Sequence, residues 1–159
     1  MPLATGGTMF HNHAYGAEES FESYQNYLDG IQDVLPAGVY EFARDPARHD
    51  LYEASMHDSV VQSVNCECDP RPGSVTVVLL GPCFDRTFTW VFTGVSWFRI
   101  NQNLCDTDRD LLTWEVGYEK GTLVFRAEFS GEDTMIELTF ASATVVENLF
   151  DNDPIVRNP

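Results

Sequence analysis

From Ser59 onward, the chain alternates apolar and polar side chains with a period of two, clearest where Phe88, Trp90 and Phe92 are each separated by one residue. Successive residues of a β-strand point to opposite faces, so this period predicts strands with one buried face. Short turn sequences, such as Glu119-Lys120-Gly121, separate one run from the next. We therefore predict about seven antiparallel strands that follow one another as a meander.

A helical period precedes the strands. Apolar residues recur at steps of three and four, at Phe21, Tyr24, Leu28, Ile31 and Leu35. Acidic residues occupy the first turn, where the helix dipole favours them: Glu18, Glu19 and Glu22. The pattern predicts one amphipathic helix that ends at Pro36 and Gly38. Residues 39–55 give no clear assignment.

One helix cannot cover the apolar face of so large a sheet. We therefore predict an α+β fold, in which an N-terminal amphipathic helix precedes a mainly antiparallel β-meander that curls into a half-barrel or forms a two-layer sandwich. The length of 159 residues fits a single domain. We assign it to residues 18–150, with a loose N-terminal arm at 1–17 and a C-terminal tail at 151–159. Trp90 and Trp114 are expected in its core.

The chain is strongly acidic, with 25 Asp and Glu residues against 9 Lys and Arg residues and a formal net charge of −16. Such a surface attracts basic proteins and repels nucleic acid and anionic membranes. The first residues show no secretion signal, so we expect a cytoplasmic protein. Only one of the basic residues is a lysine, Lys120, which is typical of a GC-rich and thus bacterial genome. The acidity alone does not prove a partner, since it also keeps a β-rich chain from aggregating.

Acidic residues concentrate in two predicted turns. Asp106, Asp108 and Asp110 resemble the start of an EF-hand loop, but Leu111 and Gly117 stand where that loop needs glycine and glutamate. We therefore predict neither a metal site nor a cofactor. Instead, these aspartates together with Glu132 and Asp133 form the expected partner-binding surface. Trp97 and Arg99, on the face opposite Phe98 and Ile100, are a second candidate contact because exposed Trp and Arg dominate many interfaces.

Two further pairs carry possible chemistry. His57 and Asp58 open the first strand and are assigned either to ligand contact or to a structural role that holds the strand entry. As neighbours on a strand they are expected to point to opposite faces. Cys66 and Cys68 lie at strand period and are expected to face the core as free thiols. No catalytic residues are predicted.

Four segments carry a resemblance: Met56-His57-Asp58-Ser59-Val60, Phe92-Thr93-Gly94-Val95, Leu112-Thr113-Trp114-Glu115-Val116 and Phe125-Arg126-Ala127-Glu128-Phe129. This stretch is similar to small bacterial β-rich families of unknown function, some of which are grouped with the immunity proteins of polymorphic toxin systems. The resemblance implies a non-enzymatic, protein-binding domain and covers roughly residues 56–147.

Two functions of different classes remain open. The first is an immunity-like domain that binds a basic protein. The alternative is a small-ligand-binding domain, or a minor enzyme, with a pocket in the mouth of the curled sheet. The oligomeric state is not predicted.

Overall fold

Eight antiparallel strands form two open sheets in a computed structural model that describes residues 17–50, 53–100, 109–131 and 134–150. The strands are β1 (Val60–Glu67), β2 (Gly73–Leu80), β3 (Arg86–Val95), β4 (Trp97–Ile100), β5 (Leu111–Glu119), β6 (Thr122–Phe129), β7 (Met135–Phe140) and β8 (Ser142–Leu149). Sheet A has the order β1-β2-β3-β8, and sheet B has the order β4-β7-β6-β5. The fold is thus mostly β, with two helices, rather than an even mixture of α and β.

The connections depart from the predicted simple meander. The chain passes from sheet A to sheet B after β3 and returns with β8, which pairs with β3 from Arg86↔Leu149 to Thr93↔Ser142. The prediction missed β8, because its sequence has only a weak alternation and most of its residues are exposed. The predicted antiparallel pairing is confirmed for every strand pair in the described residues.

Two α-helices precede the strands, α1 (Ala17–Gly30) and α2 (Ala37–Arg44), followed by a 3₁₀ turn at Pro46–Arg48. The prediction of one helix ended by Pro36 and Gly38 is therefore wrong. Pro36 instead stands immediately before the first residue of α2, where its fixed φ and missing N–H are readily accommodated. Neither described helix has the length or the apolar character that a membrane crossing requires.

An aromatic core joins the two sheets. Trp90 and Phe92 of β3 contact sheet B, with ring centroids 5.6 Å apart for Trp90 and Trp114 and 4.9 Å apart for Phe92 and Phe125. Phe42 of α2 packs edge-on against Trp90 at 5.6 Å. Trp90 and Trp114 are both buried, as predicted. Because each large apolar side chain contributes about 1.5–3 kcal/mol when buried, this cluster holds the sheets together.

The first strand shows why period alone misplaces some residues. A register shift lies between Val61 and Ser63 in the pairing of β1 with β2. Because of it, the core-facing side of β1 carries Val61 and then Val64 and Cys66, which pair with the buried Leu79, Val77 and Val75, instead of an unbroken alternation from Val60. The prediction that Cys66 and Cys68 are buried in the core is wrong, because both are exposed at the far end of this edge strand.

Candidate functional site

The entry to β1 is attached to the start of β5. The main-chain N–H of Asp58 donates to the carbonyl of Leu111 at 2.8 Å, and the N–H of Leu111 donates to the carbonyl of Ser59 at 2.8 Å. An isolated antiparallel bridge between Val60 and Asp110 extends this contact. These main-chain contacts connect an edge of sheet A to an edge of sheet B through Asp58, Ser59 and Asp110.

His57 and Asp58 lie in a turn before β1, not on the strand itself. Asp58 has a φ of +62°, which is unusual for a residue with a side chain. This conformation brings its carboxylate to 3.0 Å from Nδ1 of His57, an ion-pair distance without hydrogen-bond geometry. The prediction that the two side chains point apart is therefore wrong. Because the Asp58 side chain is 47% exposed, only its main chain holds the strand entry.

Hydrogen bonds join Arg109 and Asp110, at the end of the first predicted acidic turn, to Ser130, before the second. Asp110 donates its N–H to Oγ of Ser130 at 2.9 Å and accepts a bond from the N–H of Ser130 at 2.8 Å. Arg109 donates to the carbonyl of Ser130 at 3.0 Å, and its guanidinium occupies the space where a side chain at Gly131 would begin. Asp110 is exposed beside these bonds. The other four predicted contacts, Asp106, Asp108, Glu132 and Asp133, lie outside the described residues.

We call the exposed surface around Asp58, Asp110 and Ser130 the acidic corner. Two chain segments that the sequence predicted separately, one at 57–58 and one ending at 110, come together there. Sequence reasoning missed their proximity, because it depends on the pairing of β1 with β5 across the two sheets.

Trp97 and Arg99 lie elsewhere, on β4 at the opposite edge of sheet B. Three strand spacings separate β4 from β5, which is about 14 Å at ~4.8 Å per spacing. Both residues are exposed, Trp97 to 47%. They therefore cannot contribute to the acidic corner as neighbours of Asp110.

A groove of ≈ 540 Å³ lies beside Trp97. One wall comes from the turn between β1 and β2, and the other comes from the residues that carry the chain from β3 into β4. Its exposed lining includes two opposite charges, a thiol and three ring-bearing side chains: Glu67, Cys68, Arg71, Pro72, Trp97 and Phe98. The volume lies within the range of about 300–1,000 Å³ that is usual for ligand pockets. Sequence reasoning identified Trp97 but not the groove.

A row of alternating charges crosses sheet B. The strand registers place Arg99 opposite Glu137, Glu137 opposite Arg126, and Arg126 opposite Glu115. Arg126 makes a bidentate pair with Glu119 at 2.7 and 2.9 Å. Its Nε also lies 3.6 Å from Glu137 Oε1, whereas neither Glu115 oxygen has a hydrogen-bond partner among the described residues.

Glu115 is the most unusual residue of this row. Its side chain is fully buried, and neither carboxylate oxygen has a hydrogen-bond partner among the described residues. Burial raises its pKa from 4.5 to about 8; Arg126 opposes this change, while Glu119 and Glu128 add to it. The carboxyl group is consequently mostly protonated at neutral pH. No sequence signal predicted this, because Glu115 occupies a polar position of the alternation.

Among the residues that the structure describes, no cluster of three or more His, Cys, Asp or Glu residues is arranged to bind a metal ion. Comparisons with protein-family models, curated proteins and solved structures found no significant match.

Proposed function

We propose that this protein is a non-enzymatic binding domain for a basic protein, similar in role to an immunity protein, and that it acts in the cytoplasm. The observation that carries the proposal is the distribution of charge between the inside and the surface. In the described residues, ten acidic and four basic residues are exposed. The remaining described arginines are directed to internal partners.

The internal partners of these arginines are identifiable. Arg48 and Arg86 both bind Glu147, at 2.8 and 2.6 Å, and their side chains are only 18% and 11% exposed. Arg126 binds Glu119 with a side chain that is 15% exposed. Because these cations are neutralised within the fold, they contribute little to the field outside it. The surface therefore presents the acidic excess to a partner.

The acidic corner is the part of this surface that we assign to partner contact. Asp58 and Asp110 are exposed there, and main-chain bonds to Leu111 and Ser130 hold their backbone in place. Carboxylates on a fixed backbone lose little conformational freedom when a cationic surface binds them. Opposite charge on the two partners also accelerates encounter, and salt weakens this effect.

An affinity capture with matched baits tests the proposal. The wild-type protein, an Asp58→Asn/Asp110→Asn double variant and a Glu41→Gln/Glu53→Gln double variant are immobilised and exposed to host extract. Both variants lose two exposed carboxylates, but only the first loses them from the corner. The proposal expects one basic protein, bound in stoichiometric amount by the wild type and by the Glu41/Glu53 control, and released as salt rises. Its recovery should fall markedly on the corner variant. Equal recovery on all three baits would overturn the assignment of the corner, and an empty eluate would overturn the function.

The groove beside Trp97 supports a second candidate function, the binding of a small ligand. Its volume is sufficient, and it contains both charged and aromatic side chains. Native mass spectrometry of the protein purified from its host tests this alternative. A small molecule that stays bound at high salt, together with an empty protein capture, would favour it over a protein partner.

A further inference from the structure

We propose that the groove beside Trp97 binds an extended segment of the basic partner and holds one of its arginine or lysine side chains between Trp97 and Glu67. This inference rests on the proposed function and adds a second, specific contact to the acidic corner. The proposed occupant of the groove is an extended peptide that carries an arginine or lysine side chain.

Two aromatic side chains that line the groove are exposed. Trp97 is 47% exposed and Phe98, the next residue, is 40% exposed. Neighbouring strand residues point to opposite faces, and Phe98 pairs with the buried Leu138, so Trp97 and Phe98 line the groove from opposite faces of β4. Exposed aromatic side chains beside a groove are typical of protein interfaces. The face of a tryptophan ring attracts a cation, most often a guanidinium.

The acid that would hold this cation is Glu67, at the end of β1. It lines the groove, it is exposed, and it has no ion-pair or hydrogen-bond partner among the described side chains. Its carboxylate is thus free to accept charge-assisted hydrogen bonds from a partner, which are about twice as strong as neutral ones.

Arg71 on the same groove selects a peptide over a free amine. Its exposed guanidinium has no acidic partner in the described part of the chain, so it can donate hydrogen bonds to a ligand, and a protonated amine offers no acceptor for them. An extended peptide carries main-chain carbonyls that accept hydrogen bonds from Arg71. The same peptide can also pair with β4, an edge strand whose one strand partner among the described residues is β7.

A capped pentapeptide of alternating leucine and arginine, with a fluorescent label, serves as the probe. Its dissociation constant is measured by fluorescence anisotropy for the wild type and for Trp97→Ala, Glu67→Gln and Glu53→Gln. The last variant is the matched control, since it removes the same charge from an exposed residue outside the groove. Thermal unfolding of each variant verifies that the fold is retained.

The proposal expects saturable binding that Trp97→Ala weakens by about tenfold or more and Glu67→Gln by about three- to tenfold, while Glu53→Gln changes it by less than about twofold. A peptide with norleucine in place of arginine should not bind. Intrinsic fluorescence gives an independent signal: Trp90 and Trp114 are buried, so a spectral change on binding reports Trp97.

Two results would overturn the proposal. One is the absence of saturable peptide binding to the wild type. The other is an equal loss for Glu67→Gln and Glu53→Gln with no effect of Trp97→Ala, which would mean that the peptide responds only to net charge. Neither result decides the proposed function, which the capture of a basic protein tests separately.

Discussion

The hydroxyl of Tyr24 on α1 is bonded to both main-chain groups of Val116 on β5. It donates to the carbonyl at 3.0 Å and accepts from the N–H at 2.9 Å. Tyr27 does the same for Tyr118, at 3.3 and 2.8 Å. β5 is an edge strand of sheet B. The two hydroxyls therefore take the place of a neighbouring strand and protect the edge from pairing with another chain.

Replacing the buried member of this pair should destabilise the protein measurably. Tyr24→Phe removes one group that satisfies both a buried donor and a buried acceptor, so we expect a loss of about 2–4 kcal/mol in the free energy of unfolding. Tyr27→Phe is the control; since Tyr27 is only half-buried, water can replace its bonds and the loss should be under about 1.5 kcal/mol. Urea unfolding measures both. Equal losses would show that the buried hydroxyl of Tyr24 stabilises the fold no more than the half-buried hydroxyl of Tyr27.

Glu115 should make stability fall as pH rises through the neutral range. Its pKa is about 8 in the folded protein, against 4.5 in an unfolded chain, so the folded state binds more protons between these values. The free energy of unfolding should decrease from about pH 4.5 to about pH 8 and then level off. At 1.36 kcal/mol per pKa unit the full decrease is on the order of 5 kcal/mol.

Glu115→Gln isolates this effect, because it keeps the shape of the side chain and cannot ionise. The variant should lack this decrease between pH 5.5 and pH 8.5 and should be more stable than the wild type at pH 9. Urea unfolding across this range provides the comparison. Parallel pH profiles for the two proteins would mean that Glu115 is already ionised at neutral pH, contrary to its burial.

Glu147 should contribute more to the free energy of unfolding than its position on an edge strand suggests. It accepts bonds from Arg48 and Arg86, which would both lose a mostly buried partner in Glu147→Gln. We expect a loss of about 2–3 kcal/mol, somewhat below the value for a fully buried pair. Asp29→Asn, which breaks the exposed pair between Asp29 and Arg44, serves as the comparison and should have a much smaller effect.

A fall in pH should weaken the ion pairs of Glu147 with Arg48 and Arg86. Burial acts to raise the pKa of Glu147, but the hydrogen bonds from Arg48 and Arg86 outweigh it and the pKa is lowered. This carboxylate therefore stabilises the fold above the pKa of an unfolded glutamate and loses its contribution as pH falls through the lower folded value. Below about pH 4.5, stability should drop more steeply in the wild type than in Glu147→Gln. Matching acid profiles would contradict this role.

The exposed thiols offer a direct check on the arrangement of β1. Cys66, Cys68 and Cys83 are free and exposed, so a thiol reagent should modify all three without denaturant. Burial, with a smaller contribution from Cys68, raises the pKa of Cys66, so it should react more slowly than Cys83. Single-cysteine variants measured by mass spectrometry separate the rates. Protection of Cys66 and Cys68 until unfolding would restore the prediction that they are buried in the core.

The alternation of the sequence predicts where strands lie but not which sheet they join. The runs around Trp90 and Trp114 are identified by period because burial on one face is a local property of a strand. The transfer of the chain to sheet B after Val95 and its return as β8 depend on packing between layers, which leaves no period in the sequence. The exposure of Cys66 and Cys68 likewise has no local signal, because it depends on how far the core extends beneath β1.

The exposure of some residues of the candidate site was predictable, because it too is a local property of a strand face. Trp97 and Arg99 are exposed, as a polar-face position on a strand indicates. The bridge that joins the segments of Asp58 and Asp110, and the burial of Glu115, depend on contacts between residues that are distant in the sequence. Pro36 shows a further limit, because a proline that the sequence assigns to the end of a helix here precedes the first residue of one.

The salt dependence of binding to the captured basic protein tests the central claim most directly. Titration calorimetry of the purified pair between about 50 and 500 mM NaCl covers Debye lengths from about 14 Å to about 4 Å. Our account predicts that the dissociation constant rises steeply with salt, and that Asp58→Asn/Asp110→Asn reduces the slope while Glu41→Gln/Glu53→Gln does not. A dissociation constant that does not change with salt would contradict an acidic surface as the basis of recognition.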